Sequence, residues 1–266
     1  KTLVKNGVFD EYEEYVSRFP DLERSDLVDI TLSESQEEKK TELLDAFENH
    51  GTILLHGITG SGKTEMYISL IQDALAGGGQ VLYLLPEIAL TTQIVSRLMK
   101  VFGDKMGVYH SKYSDNERVE VWQGVLSGRF SFVVGVRSAI FLPFDSLALV
   151  IVDEEHESSY KQYDPAPRYN ARDLAVVLGN LHQAKVLLGT ATPSLESYKN
   201  ALAGKYGLVE ITQRYGNAEL PEFILANLQI ERKRKTIKGD FTSVLIEELE
   251  RVLERGEQAI LFQNRR

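Results

Sequence analysis

The stretch Gly57-Ile58-Thr59-Gly60-Ser61-Gly62-Lys63-Thr64 most narrows what this chain can fold into, because it fits G-x-x-x-x-G-K-T between an apolar run and a helix-period segment. Ahead of it, Thr52–His56 reads as a short buried strand; behind it, Tyr67, Ile68, Leu70, Ile71, Ala74 and Leu75 recur at helical spacing. A glycine-rich turn between a strand and a helix aims backbone N–H groups at phosphate oxygens, and the helix N-terminus adds positive potential there. The pattern predicts a nucleoside triphosphate site. In such a site Lys63 reaches the β- and γ-phosphates and the Thr64 hydroxyl ligates Mg²⁺. Gly57, Thr59, Gly60, Ser61, Gly62 and Glu65 complete the candidate set around the nucleotide.

The same alternation of short apolar runs and helix-period segments continues along the chain. Leu43, Leu44 and Phe47 suggest a helix before the loop. Runs at Val81–Leu85, Phe132–Val136, Leu147–Val152 and Val186–Leu188 read as central strands of a parallel sheet. Ile94, Val95, Leu98, Val101 and Phe102 lie on one helical face, and Ser114 with Glu117 has capping-box spacing ahead of a helix carrying Val119, Trp122 and Leu126. This order predicts a three-layer α/β domain. Past Tyr215 the texture changes: Pro221, a polar stretch and the basic cluster Arg232–Lys235 suggest a linker, followed by a capped helix (Leu245, Ile246, Leu249, Val252, Leu253) and a strand at Ala259–Phe262. The expected division is an upstream tail over 1–30, an α/β lobe over 31–215, and a linker with the beginning of a second lobe over 216–266.

Composition removes several classes. No apolar run approaches membrane-spanning length and the N-terminal residues lack a signal pattern, so a cytoplasmic protein away from membranes is expected. With 0 cysteines the 266 residues can form neither a disulfide nor a thiolate metal site. The net charge of −9 is unevenly spread: of 30 basic and 39 acidic side chains, the first 50 positions hold 6 and 14, leaving 24 and 25 for the rest. A nearly neutral body leaves room for a local basic groove, so overall acidity does not exclude a nucleic-acid partner.

A second chemical motif follows the apolar run Val150-Ile151-Val152, where Asp153-Glu154-Glu155-His156 places carboxylates at a strand end. Asp153 is suited to hold Mg²⁺, and Glu154 to orient and deprotonate an attacking water. Three more strand ends carry small and hydroxyl residues: Leu85-Pro86-Glu87-Ile88-Ala89-Leu90-Thr91, Gly135-Val136-Arg137-Ser138-Ala139 and Gly189-Thr190-Ala191-Thr192-Pro193. In open α/β sheets ligands bind at that carboxyl edge. His56, His110 and His156 read as structural histidines, with His156 also placed to link the nucleotide site to Thr192.

The ordered series L-S-E-S-Q, G-I-T-G-S-G-K-T, L-L-P-E-I-A-L-T-T-Q, G-V-R-S-A-I-F, D-E-E-H and G-T-A-T-P-S resembles superfamily 2 DNA helicases, and among them the primosomal helicases that restart stalled bacterial replication forks. The resemblance runs from Leu32 to Arg266, and Leu3–Tyr12 is similar to the end of the winged-helix domain that precedes the motor there. It implies a RecA-like P-loop lobe with helices on both faces of a mostly parallel sheet, plus an incomplete second lobe. It implies ATP and Mg²⁺ as ligands, and single-stranded and forked DNA, primosome proteins and single-stranded DNA-binding protein as partners. By the same resemblance Gln36 reads adenine, Glu154 is the hydrolytic base, and Thr190 and Thr192 couple the ATP state to DNA. Pro86, Glu87, Arg137 and Ser138 then face the DNA. The segment Glu155–Arg172 would be an aromatic-rich loop whose Tyr160, Lys161, Tyr163, Arg168 and Tyr169 alternate rings with cations, a composition suited to stacking unpaired bases.

The arginine motif of the second lobe and the cysteine-rich zinc insertion of such helicases would lie beyond Asn264-Arg265-Arg266, so zinc is expected only outside these residues. Turnover by these 266 residues alone is expected to be near background, with 3′→5′ unwinding belonging to a longer protein. Two other readings stay open: a restriction or excision-repair translocase subunit, and a module that binds nucleotide and DNA without turnover.

Overall fold

The computed structural model describes residues 30–87, 89, 91–110, 113–214 and 222–263. The expectation for Leu3–Tyr12, together with Ile88, Leu90 and Asn264–Arg266, lies outside these residues. The chain divides into two compact units, Lys1–Asn217 and Ala218–Arg266.

The first unit is built on a seven-stranded sheet ordered β3-β4-β2-β5-β6-β1-β7. Its strands are β1 (Thr52–Gly57), β2 (Gln80–Leu84), β3 (Met106–Tyr109), β4 (Phe132–Gly135), β5 (Leu147–Asp153), β6 (Lys185–Thr190) and β7 (Gly207–Ile211). Every pairing is parallel. Because successive side chains of a strand point to opposite faces, each strand feeds two cores. Ile53, Leu55, Val81, Tyr83, Leu149 and Ile151 pack on one side with helices α1 (Glu34–Asn49), α2 (Lys63–Ala76) and α3 (Thr92–Phe102). Leu54, Leu82, Leu84, Val150, Val152 and Val186 pack on the other with α4 (Asp115–Leu126), α5 (Ala171–His182) and α6 (Leu195–Leu202). The result is the expected three-layer α/β architecture, in which strands buried on both faces read as continuous apolar runs.

Three elements depart from the sequence-based expectation. The capping box at Ser114 and Glu117 forms, but Val119, Trp122 and Leu126 are exposed, and α4 instead buries Val121, Gly124 and Val125. The helix is turned this way because Phe130 lies where a side chain at Gly124 would stand, with an added Cβ 2.2 Å from its ring. β7 is an edge strand with alternating burial that the sequence gives no sign of. In the second unit the basic cluster belongs to a short helix, α7 (Leu228–Arg234), capped by the Asn227 side chain, rather than to a linker. The helix α8 (Ser243–Glu254) follows, and Ala259–Phe262 is irregular and not a strand. A strand needs a neighbour for its backbone groups, and among the described residues this unit offers two helices and a single bridge between Lys238 and Phe241.

Candidate nucleotide and nucleic-acid site

The carboxyl edge of the sheet collects the sequence motifs, because parallel pairing sends every following loop to one side. The phosphate-type loop leaves β1 and enters α2, whose N-cap Gly62 has φ 78°, a left-handed conformation that favours glycine. A Cβ on Gly62 would also lie 2.2 Å from Gln36 Nε2. That amide donates to Gly62 O at 3.2 Å, while Gln36 Oε1 accepts from Ser33 N at 2.9 Å. Gln36 is thus buried and joins the start of α1 to the loop. Lys63 Nζ donates to Gly57 O at 2.7 Å, so its ammonium lies over the loop. Ser61 Oγ is buried without a hydrogen-bond partner. A cavity of about 250 Å³ opens beside it, lined by Gln36, Lys39, Ser61, Met66, Ile211 and Arg214 among others. Glu65 stands apart from this cavity in an ion pair with Arg97, and Thr59 is exposed on the loop.

Asp153 ends β5, two strands from β1. Tyr67 Oη donates to one of its carboxylate oxygens and Tyr83 Oη to the other, both at 3.2 Å. Gly189 makes this possible, since a Cβ there would stand 1.8 Å from Tyr67 Oη. Burial, then the neighbouring Glu154 carboxylate, pushes the Asp153 pKa up to about 6, while the Lys63 ammonium and the Tyr67 hydrogen bond draw it back. Burial first and Asp153 second push the Tyr67 and Tyr83 phenols well above their usual value, so both remain donors at neutral pH.

That imbalance has a measurable consequence. Asp153 ionises less readily in the folded chain than in the unfolded one, so stability falls as pH rises from about 4 towards 6 and stays reduced above. Asp153→Asn has no such titration. In Mg²⁺-free buffer it should be more stable than wild type at pH 7.5 by on the order of 1–3 kcal/mol, converging with it near pH 4. Urea unfolding at the two pH values measures this; a constant difference would show that the carboxylate is not held against its charge.

The three residues after Asp153 separate into distinct roles. Glu154, at φ 45°, turns its carboxylate towards Thr190, whose Oγ1 donates to it at 3.3 Å. His156 Nδ1 lies 2.8 Å from Thr190 Oγ1, and the Thr192 hydroxyl is 3.4 Å from His156 Nε2, so the histidine does stand between the two threonines. Glu155 is 1% exposed. It accepts from Ser194 N at 2.6 Å, Ser194 Oγ at 2.9 Å, Ser197 Oγ at 2.8 Å and Arg172 at 3.2 Å, which pins the start of α6 to the start of α5.

The aromatic segment is closed by a bridge between Lys161 and Asn170. Its tyrosines are not equivalent. Tyr160 is 1% exposed and donates to Leu84 O at 3.0 Å and Asp153 O at 2.6 Å, so it cannot stack on a base as expected from its place in the sequence. Tyr163 is 67% exposed, and Tyr169 packs edge-on against the exposed Phe141 with centroids 4.9 Å apart. Lys161 and Arg168 are exposed beside them. Arg137 turns inward, donating to Ser159 O at 3.2 Å and Lys161 O at 2.9 Å, and so holds the loop rather than facing solvent as a free cation. Ser138 is half-buried, Pro86 buried and Glu87 exposed at neighbouring strand ends. Two residues join the site that were not among its sequence candidates: Phe141, at the end of the G-V-R-S-A-I-F stretch, and Arg214 beside the cavity, which follows the unexpected strand β7.

A parallel sheet with a phosphate loop on β1 and an Asp-Glu pair on β5 defines a P-loop NTPase lobe, and residues 34–201 match the DEAD/DEAH box helicase family. The chain belongs to that family. It is 46% identical over 219 residues to the Replication restart protein PriA of Chlamydia trachomatis, covering 82% of this chain and 29% of that protein. Identity is 41% over 271 residues to the Replication restart protein PriA of Bacillus subtilis, covering 100% of this chain and 33% of that protein. The chain therefore spans about a third of the length of these curated relatives. Among solved structures it resembles RecG bound to a three-way DNA junction, with a TM-score of 0.54 at 22% identity over 73% of this chain and 25% of that one. That likeness is one of RecA-like fold.

Proposed function

We propose that these residues are the ATP-binding motor lobe of a 3′→5′ DNA helicase that acts in replication fork restart. One observation carries the reading: Tyr160 ties the aromatic loop to the backbone of Asp153 and Leu84, so a candidate DNA-contacting loop is bonded directly to the end of the strand bearing the metal-type carboxylate. The residues fit the nucleotide and its cation. Ser61 Oγ is a buried polar atom without a partner at the loop, and Thr64 with Asp153 offers the hard oxygen donors that suit Mg²⁺. When bound, Mg²⁺ neutralises charge on the β- and γ-phosphates. Lys63 turns from Gly57 O to the phosphates, and Glu154, aligned by Thr190, orients the attacking water and takes its proton. Gln36 has already committed one lone pair and one N–H. The remaining lone pair and N–H match the donor N6 and acceptor N7 of adenine, whereas guanine offers two acceptors there.

Single-stranded or forked DNA would meet Tyr163, Tyr169, Lys161 and Arg168, and primosome proteins and single-stranded DNA-binding protein would be the protein partners. Such work takes place in the bacterial cytoplasm, and among the described residues no helix is long and apolar enough to cross a membrane. Unwinding belongs to the full-length protein, and the 266 residues alone should turn over ATP slowly, since a P-loop motor gains ~10³–10⁵ in rate from an arginine finger.

The test acts on the loop. In the full-length protein, Tyr163→Ala combined with Tyr169→Ala should weaken single-stranded DNA binding by at least about tenfold, given ~1–3 kcal/mol per stacked base. DNA-stimulated ATP hydrolysis should fall with it, while nucleotide affinity stays unchanged. Wild-type stimulation by DNA in this variant would mean that the loop is a structural turn.

A further inference from the structure

We infer that Arg214 contacts the nucleoside part of the bound nucleotide, as a base- or ribose-binding residue supplied from outside the P-loop motifs. The inference rests on the nucleotide reading above. β7 runs parallel beside β1, with Gly57 opposite Ile211 and Ile58 N donating to Ile211 O at 3.1 Å. The chain leaving β7 is thereby delivered to the same edge as the phosphate loop, and Thr212, Gln213 and Arg214 line the 250 Å³ cavity that Gln36 and Ser61 also line.

Two residues that line that cavity each keep one buried side-chain atom without a hydrogen-bond partner, Ser61 Oγ and Arg214 Nε. Buried polar groups are nearly always paired, so a hydroxyl and a guanidinium N–H left unpaired on two residues that line one cavity fit a site completed by a polar ligand. Ser61 sits in the phosphate loop and Gln36 on the side of the base. Arg214 lines the same cavity three residues after Ile211, which pairs with Gly57 at the start of the phosphate loop. A guanidinium suits that place: it is planar, weakly hydrated, stacks on aromatic faces and carries five donors for ring nitrogens or ribose hydroxyls. Lysine has none of the planar features.

The experiment compares three ligands in the presence of Mg²⁺: ATP, ADP and inorganic tripolyphosphate, each titrated calorimetrically into wild type, Arg214→Ala, Arg214→Lys and Lys63→Ala, with thermal melting as the check on folding. Arg214→Ala and Arg214→Lys should weaken ATP and ADP by about tenfold, the scale of a lost stacking or charged hydrogen-bond contact, and leave tripolyphosphate within about twofold of wild type. Unchanged ATP and ADP affinity overturns the inference. So does equal weakening of all three ligands, which would make Arg214 a phosphate contact. The Lys63→Ala arm keeps the two readings apart: if that variant binds ATP and tripolyphosphate like wild type, the nucleotide site itself is misplaced, whatever Arg214 does.

Discussion

Lys63→Ala should reduce ATP affinity by about 10–100-fold or more, without unfolding the lobe. Lys63 is the cation of the phosphate loop, and hydrogen bonds to a charged partner are worth about 1.5–3 kcal/mol each. A triphosphate offers the ammonium more than one such bond. In the folded chain the side chain bonds to Gly57 O, a loop carbonyl at the edge of the sheet, and takes no part in either hydrophobic core. Removing it costs the folded lobe one hydrogen bond and no core contact, so the melting temperature should fall only modestly. Calorimetric titration with ATP and Mg²⁺ measures the loss, and wild-type affinity would remove the basis for a nucleotide site here.

Glu154 and Glu155 are adjacent in sequence and should give opposite phenotypes. In the full-length protein Glu154→Gln keeps the shape of the side chain and the hydrogen bond from Thr190, but an amide cannot accept the proton of the attacking water. Turnover should fall by ~10²–10⁴ while ATP binding persists. Glu155→Ala should act on stability instead, because it would take from Arg172 its buried partner, leaving it only Asp173 and Ser194, and leave the Ser194 and Ser197 donors unpaired in a buried site. Breaking a buried ion pair by removing one partner costs about 3–5 kcal/mol. Steady-state phosphate release and thermal melting on both variants separate the roles; full turnover in Glu154→Gln would place the base elsewhere.

Much of this lobe is visible in the sequence because its determinants are local. Glycines of the Gly57–Thr64 turn, the apolar runs that become β1, β2, β4, β5 and β6, and the Ser114–Glu117 capping box each act within a few residues, where backbone geometry and hydrogen bonding leave few alternatives. The Asp153-Glu154 pair at the end of β5 is legible for the same reason, since a strand end in a parallel sheet is a fixed place.

What the sequence could not determine depends on contacts between distant segments. The buried face of α4 follows from Phe130 closing on Gly124, which helical periodicity cannot foresee. Tyr160 and Tyr163 look interchangeable as letters, yet one is bonded beneath Asp153 and Leu84 while the other faces solvent. Glu155 became structural only when Ser194 and Ser197, 39 and 42 residues away, folded over it. Arg214 reaches the cavity beside the phosphate-type loop because β7 adds to the edge beside β1. In each case the residue's own chemistry allowed several roles, and tertiary packing chose among them by fixing which groups were removed from water and which partners could then satisfy them.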